Sequence, residues 1–158
     1  MPDPRRAGTE DAPTVARLLD DFNREFSTPT PGIAILTARL KALLATPDVI
    51  ALLVGDPASG VALLTLRPNV WYPGPVALLD ELYVAPEHRG RGLGSSLLER
   101  VENVAREHGA QVLEINVDGE DTAARRFYER HGYRNSEPGG TEPLLYYFRE
   151  LGPSTPAR

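Results

Sequence analysis

The sequence predicts an α/β fold, a mixed sheet with helices on both faces. Three observations carry that expectation. The spacing of apolar residues switches repeatedly between a period of about 3.6 and a period of about 2, giving the order β α α β β β α β α β β. One apolar run, residues 78–85, feeds a glycine cluster, Arg89-Gly90-Arg91-Gly92-Leu93-Gly94, which opens onto a helical stripe. Composition is that of an ordinary globular chain, 41% hydrophobic and 25% charged over 158 residues, long enough to bury a sizeable core. A single domain over residues 1–151 is expected, with 152–158 a disordered tail.

A short first strand is expected at Arg5, Arg6 and Ala7. Thr9 or Asp11 then caps a helix, and Pro13 stands in its first turn, where a missing N–H costs little. Val15, Leu18, Leu19, Phe22 and Phe26 form the apolar stripe; Arg17, Asp20, Asp21 and Arg24 occupy the opposite face. Pro29 and Pro31 break the chain. A second helix over residues 33–45 carries Leu36, Leu40, Leu43 and Leu44 on one side.

Residues 49–54 are nearly all apolar, so both faces of that strand should be covered. The turn from Gly55 to Gly60 leads into a partner strand at 61–66, and the two should pair as a hairpin. A loop at 67–75, holding Trp71 and Tyr72, precedes the strand at 78–85. From Leu93 a helical stripe runs through Leu97, Leu98, Val101, Val104 and Ala105 to a stop at Gly109. Residues 112–117 alternate as a strand. Asp121 starts a short helix with Ala124, Phe127, Tyr128 and His131 in line, stopped by Gly132. Strands are expected at 133–135 and at 144–149.

Bulk properties exclude several functions. A net charge of −5 argues against a general nucleic-acid binder. The absence of cysteine removes disulfides, thiolate catalysis and cysteine metal sites. His88, His108 and His131 have no metal-ligand spacing, so no metal is expected. The first residues lack the apolar core of a signal peptide, and no apolar run reaches the ~20 residues of a membrane span. A cytoplasmic protein with neither nucleic-acid nor membrane partner is expected.

The glycine cluster has a defined physical use. Strand, glycine loop and helix aim free backbone N–H groups at an anion. The dinucleotide fingerprint does not fit, because the glycines stand at 90, 92 and 94. The nucleotide-triphosphate loop does not fit either, since Gly94-Ser95-Ser96 lacks the lysine.

The cluster instead resembles the Q/R-x-x-G-x-G/A signature of the GNAT superfamily, the acyl-CoA-dependent N-acetyltransferases, with Arg89, Gly92 and Gly94 at its fixed positions. Residues 81–86 resemble that family's fourth strand, and residues 124–133 supply a further match. The resemblance implies a central mixed, mostly antiparallel sheet of six to seven strands and acetyl-CoA as co-substrate. It places the pyrophosphate at Arg89, Gly90, Arg91, Gly92, Leu93, Gly94 and Ser95. It places the pantetheine arm along the backbone of Leu82, Tyr83 and Val84, with Asp121 and Ala124 beside it. The family often has asparagine where Asp121 stands; an aspartate can cap the helix and accept a hydrogen bond, but cannot donate one.

Aminolysis of a thioester needs a neutral amine, a stabilised oxyanion and a protonated leaving thiolate. By resemblance the Val84 N–H meets the oxyanion and Tyr128 is the acid; the plainer alternative is that Tyr128 only packs. Glu81 is the first choice for the base, with Glu114 as another candidate. Asp80 and Glu81 are adjacent in a strand and are expected on opposite faces. Phe22, Asn23, Phe26, Trp71 and Tyr72 are expected to wall the acceptor site, where aromatics and acids suit a cationic amine. The expected activity is transfer of acetyl to a primary amine of a small molecule or peptide, and a homodimer is left open. A non-catalytic acyl-CoA sensor and a plain nucleotide-phosphate binder are the competing readings.

Overall fold

The computed structural model of the chain describes residues 2–153, which fall into two compact units divided between Ile115 and Asn116. The first unit is a sheet with helices on both faces. Its strands are β1 (Arg5–Arg6), β2 (Val49–Val54), β3 (Gly60–Arg67), β4 (Val76–Val84) and β5 (Leu113–Ile115); its helices are α1 (Ala12–Glu25), α2 (Ile33–Leu44) and α3 (Leu93–Glu107). The five strands follow the order β1-β2-β3-β4-β5, antiparallel except for the parallel pair β4–β5.

Pleating assigns each strand residue to a face. Ala51, Leu53, Val61 and Tyr83 pack with Val15, Leu18 and Leu40 of α1 and α2. The alternate residues face α3: a Cβ built on Gly60 would meet the Leu97 side chain at 3.2 Å. Both layers are dry, with Leu18, Leu52, Leu64, Leu97 and Val101 fully buried. This is why residues 49–54 read as a continuous apolar run.

The polar features of α1 are less regular than its stripe. Asp11 takes two hydrogen bonds from Arg5, at 2.8 and 2.9 Å, and one from the Gly8 N–H at 2.8 Å. The Arg5 bonds come first among the causes that hold its carboxyl down at about 2. Asp20 does not lie on a solvated face: it is 3% exposed. Thr30 donates to it at 2.7 Å and Arg24 at 2.7 Å, and in that order they lower its pKa. Asn23 donates to the Pro29 carbonyl at 2.9 Å. The polar side of α1 therefore pins the α1–α2 connection.

Among the described residues the second unit holds one helix, α4 (Thr122–Arg130), capped by the Asp121 carboxylate, which accepts from the Ala124 N–H at 3.0 Å. The sheet has five strands where six to seven were expected. Residues 133–135 are not a strand because the Tyr133 N–H bonds back to the Tyr128 carbonyl at 3.0 Å, closing the end of α4 past Gly132. Residues 144–149 belong to no strand among the described residues, and their side chains are exposed. A strand is defined by a partner as well as by alternation. Gly152 and Pro153 are exposed and outside any element, and residues 154–158 of the expected tail lie outside the described residues. Among the described residues no helix is long and apolar enough to cross a membrane.

Candidate active site

The site is built on a change of register within β4. Leu64 stands opposite Leu79, but Leu63 stands opposite Glu81, so Asp80 is an extra residue in β4, a β-bulge. Cross-strand partners share a face. Leu79 therefore points with Leu64 toward α3, and Glu81 points with Leu63 toward α1 and α2. Asp80 joins it there. Thr65, whose partner Leu78 is also on that face, donates its hydroxyl to the Asp80 carboxylate. The two acids were expected on opposite faces, and the bulge corrects this: both occupy the α1–α2 face.

The environment of Glu81 follows. It is partly buried among Leu63 and the neighbours of Tyr83, and no hydrogen bond reaches its carboxylate among the described residues. Burial first, and the Asp80 charge second, push its pKa up to about 6. A carboxyl so placed changes charge close to neutral pH. Glu114 sits differently. It is exposed and accepts from Arg67 at 3.3 Å, an ordinary surface ion pair.

The bulge also reverses the hydrogen-bonding direction of β4. The Ala77 N–H donates to the Val112 carbonyl at 3.0 Å, so Ala77 and Leu79 turn their peptide groups toward β5. The Ala85 N–H donates to the Ser59 carbonyl at 2.8 Å, so Ala85 and Tyr83 turn theirs toward β3. Leu82 and Val84 consequently aim N–H and C=O away from β3, along an edge that β5 has already left, since β4–β5 pairing ends at Leu79 and Ile115. Of the three strand residues expected along the arm, Leu82 presents its N–H and C=O, Val84 presents its N–H while its C=O accepts from Arg89, and Tyr83 turns its backbone toward β3. The Tyr83 side chain instead stacks on Phe22, centroids 5.0 Å apart at 17°.

After β4 the chain makes a turn of 3-10 helix (Pro86–His88) and enters the glycine loop. Gly90 and Gly92 have φ of 75° and 80°, the left-handed region that disfavours a side chain. Gly92 is the N-cap of α3 and supplies no side-chain cap. The N–H groups of Gly90 to Gly94 donate to no backbone carbonyl among the described residues. A row of such groups at a helix start is an anion cradle. Arg91 is exposed beside it. Arg89 is directed elsewhere: its Nε donates to the Val84 carbonyl at 2.8 Å, and one terminal nitrogen to Glu25 at 2.7 Å.

The aromatic residues expected around the acceptor are not brought together. Phe22 and Phe26 meet edge to face at 5.4 Å near Tyr83, at the C-terminal end of β4. Trp71 and Tyr72 lie in the loop before its N-terminal end, roughly 25 Å away at strand rise. Asn69 fixes that loop by accepting from the N–H groups of Trp71 and Tyr72 at 2.8 and 2.9 Å. The loop passes so close to the end of α3 that a Cβ at Gly74 would collide with the Gly109 carbonyl.

Tyr128, Asp121 and Ala124 belong to the second unit. Tyr128 is partly buried, with Phe127 edge-on at 5.2 Å and Tyr133 at 5.8 Å. Its ring is held from two sides, which fixes where the phenol points.

Residues 15–133 match the sequence profile described as the Acetyltransferase (GNAT) family. The chain is 30% identical over 146 residues to the aminoalkylphosphonate N-acetyltransferase of Salmonella typhimurium, covering 89% of this chain and 90% of that protein. It is 28% identical over 131 residues to the uncharacterised N-acetyltransferase YhfO of Bacillus subtilis, covering 82% and 87%. A crystal structure of a provisionally named acetyltransferase from Arthrobacter sp. FB24 superposes with a TM-score of 0.89 at 61% identity, covering 94% of this chain and 95% of that one.

Proposed function

The chain belongs to the acetyltransferase (GNAT) family and is an acyltransferase, and on that premise we propose that it transfers acetyl from acetyl-CoA directly to a primary amine of a small molecule or peptide. The observation that carries this reading is the outward edge of Leu82 and Val84, running straight into the glycine loop. An extended, amide-bearing arm can add to such an edge as a strand does. A pyrophosphate fits the N–H groups of residues 90–95 and Arg91. Asp121 and Ala124 would border the arm from α4.

The chemistry then assigns one role to each group. Glu81 takes a proton from the ammonium, through water, leaving a neutral amine. The amine nitrogen bonds to the thioester carbonyl carbon while the Val84 N–H meets the oxygen that becomes negative. The C–S bond breaks as the amide forms, the nitrogen releases its second proton to water, and the Tyr128 phenol gives its proton to the leaving sulfur. Solvent then receives the proton on Glu81 and restores the one lost by Tyr128.

The acceptor is proposed to be a small amine, in keeping with the aminoalkylphosphonate relative, and the panel that tests it should include aminoalkylphosphonates, polyamines and peptides. The readout is release of CoA thiol. Turnover with at least one amine, lost in Glu81→Gln and Tyr128→Phe, supports the reading; tight CoA binding with no turnover across the panel would favour a sensor. A homodimer is part of the proposal. It is supported by five consecutive large apolar side chains at 144–148, which are 59–83% exposed. Each copy carries the same arm, so a two-fold pair could cover both.

A further inference from the structure

The Arg89 guanidinium stands at the junction of three elements. It lies over the Tyr83 ring, 5.6 Å from the centroid. Its Nε donates to the Val84 carbonyl at 2.8 Å, and a terminal nitrogen donates to Glu25 at 2.7 Å. Glu25 is the last residue of α1. That helix end is itself fixed to β4, because Phe22 stacks on Tyr83 and meets Phe26 edge to face. Glu25 thus stands on a helix end packed against β4, while Arg89 begins a loop whose Gly90 and Gly92 adopt positive φ.

We propose that Glu25 is a positioning residue for the donor site: it holds Arg89 across Tyr83 and against the Val84 carbonyl, locking the outward edge of β4 and the start of the glycine loop in one geometry. This rests on the donor reading above and adds to it a residue outside the family signature, on a helix far away in sequence. The guanidinium fork suits the task. Its planar N–H groups engage a carbonyl and a carboxylate together while the flat face covers a ring, which a lysine could not reproduce. The carbonyl it engages belongs to the residue whose N–H is assigned to the oxyanion, so the same peptide edge is steadied. With Arg89 held against the strand, Arg91 and the loop N–H groups are the ones left to meet phosphate.

A partly exposed ion pair adds little to global stability, so the lock should be visible in ligand affinity rather than in melting. The experiment is calorimetric titration of CoA into the full chain and into Glu25→Gln, Glu25→Ala, Arg89→Ala and the Glu25→Ala/Arg89→Ala double variant. Glu25→Ala should weaken CoA about tenfold, and Glu25→Gln by a smaller factor, while the melting temperature moves by no more than about 2 °C. In the Arg89→Ala background, removing Glu25 should have no further effect, because the two act as one unit. If the unaltered chain fails to bind CoA, the donor reading fails and the lock with it. If it binds and Glu25→Ala binds within twofold, or if the two substitutions add independently, the lock alone is overturned.

Discussion

The Thr65 hydroxyl donates a hydrogen bond to the Asp80 carboxylate, across the place where β3 and β4 fall out of register. That bond occupies one acid of an adjacent pair and leaves the other, Glu81, as a partly buried carboxylate with a raised pKa.

The pH dependence of activity follows from it. With Glu81 as base, kcat/KM should rise with pH through about 6 and then level off, and Glu81→Gln should abolish that limb. Asp80→Asn removes the second cause of the shift, so the limb should move to lower pH. Stability runs the other way. A carboxyl held above its ordinary 4.5 contributes fully below that value and loses the contribution as pH rises through about 6. Glu81→Gln should therefore gain about 1 kcal/mol relative to the parent between pH 4 and pH 8, allowing for its partial exposure. Thermal melts at the two pH values measure this.

Tyr128→Phe removes one hydroxyl and keeps the ring that Phe127 and Tyr133 flank. Release of CoA should fall about 100-fold while CoA affinity changes less than about twofold. Single-turnover kinetics beside a binding titration separates the two. Unchanged turnover would leave Tyr128 as a packing residue.

Much of this architecture was legible in the chain, and the exceptions have physical causes. The alternation and helical stripes located α1 to α4 and β2 to β5 because burial imposes those periods directly. The glycine spacing located the left-handed cap at Gly92, since few other residues adopt that φ. The bulge had no such mark. No glycine or proline beside Asp80 announces it, and simple alternation puts Asp80 and Glu81 on opposite faces when they share one. Asp20 looks solvated from its helical position; its burial is offset by Arg24 one turn on and by Thr30, ten residues away and outside the helix. Residues 144–149 have the composition of a strand, but nothing in one sequence says which edge would receive them.

Gly92→Ala should strain the cap of α3. A side chain at φ of 80° costs roughly 1–2 kcal/mol. Part of that should appear as lower melting temperature and part as CoA affinity weakened about tenfold, because relief of the strain would turn the loop N–H groups away. Gly109→Ala, at φ of 83° beyond the far end of α3, is the control: it should lower the melting temperature and spare CoA binding.

The apolar arm at residues 144–148 predicts self-association. Light scattering should give the mass of a dimer at micromolar concentration. Leu145→Lys with Tyr147→Lys should give a monomer that retains its circular dichroism, since both side chains are exposed within the single chain. A monomeric parent would remove the dimer from the proposal.

The bulge at Asp80 has an evolutionary corollary. Deleting Asp80 would leave Leu79 opposite Leu64 and Glu81 opposite Leu63 in a regular ladder, so the Glu81 carboxylate and the Leu82 and Val84 peptide groups would keep their directions. What it would remove is the second carboxylate beside Glu81, together with the hydrogen bond from Thr65. Homologues one residue shorter here should therefore keep an acid at the Glu81 position on the α1–α2 face and lose only its acidic neighbour.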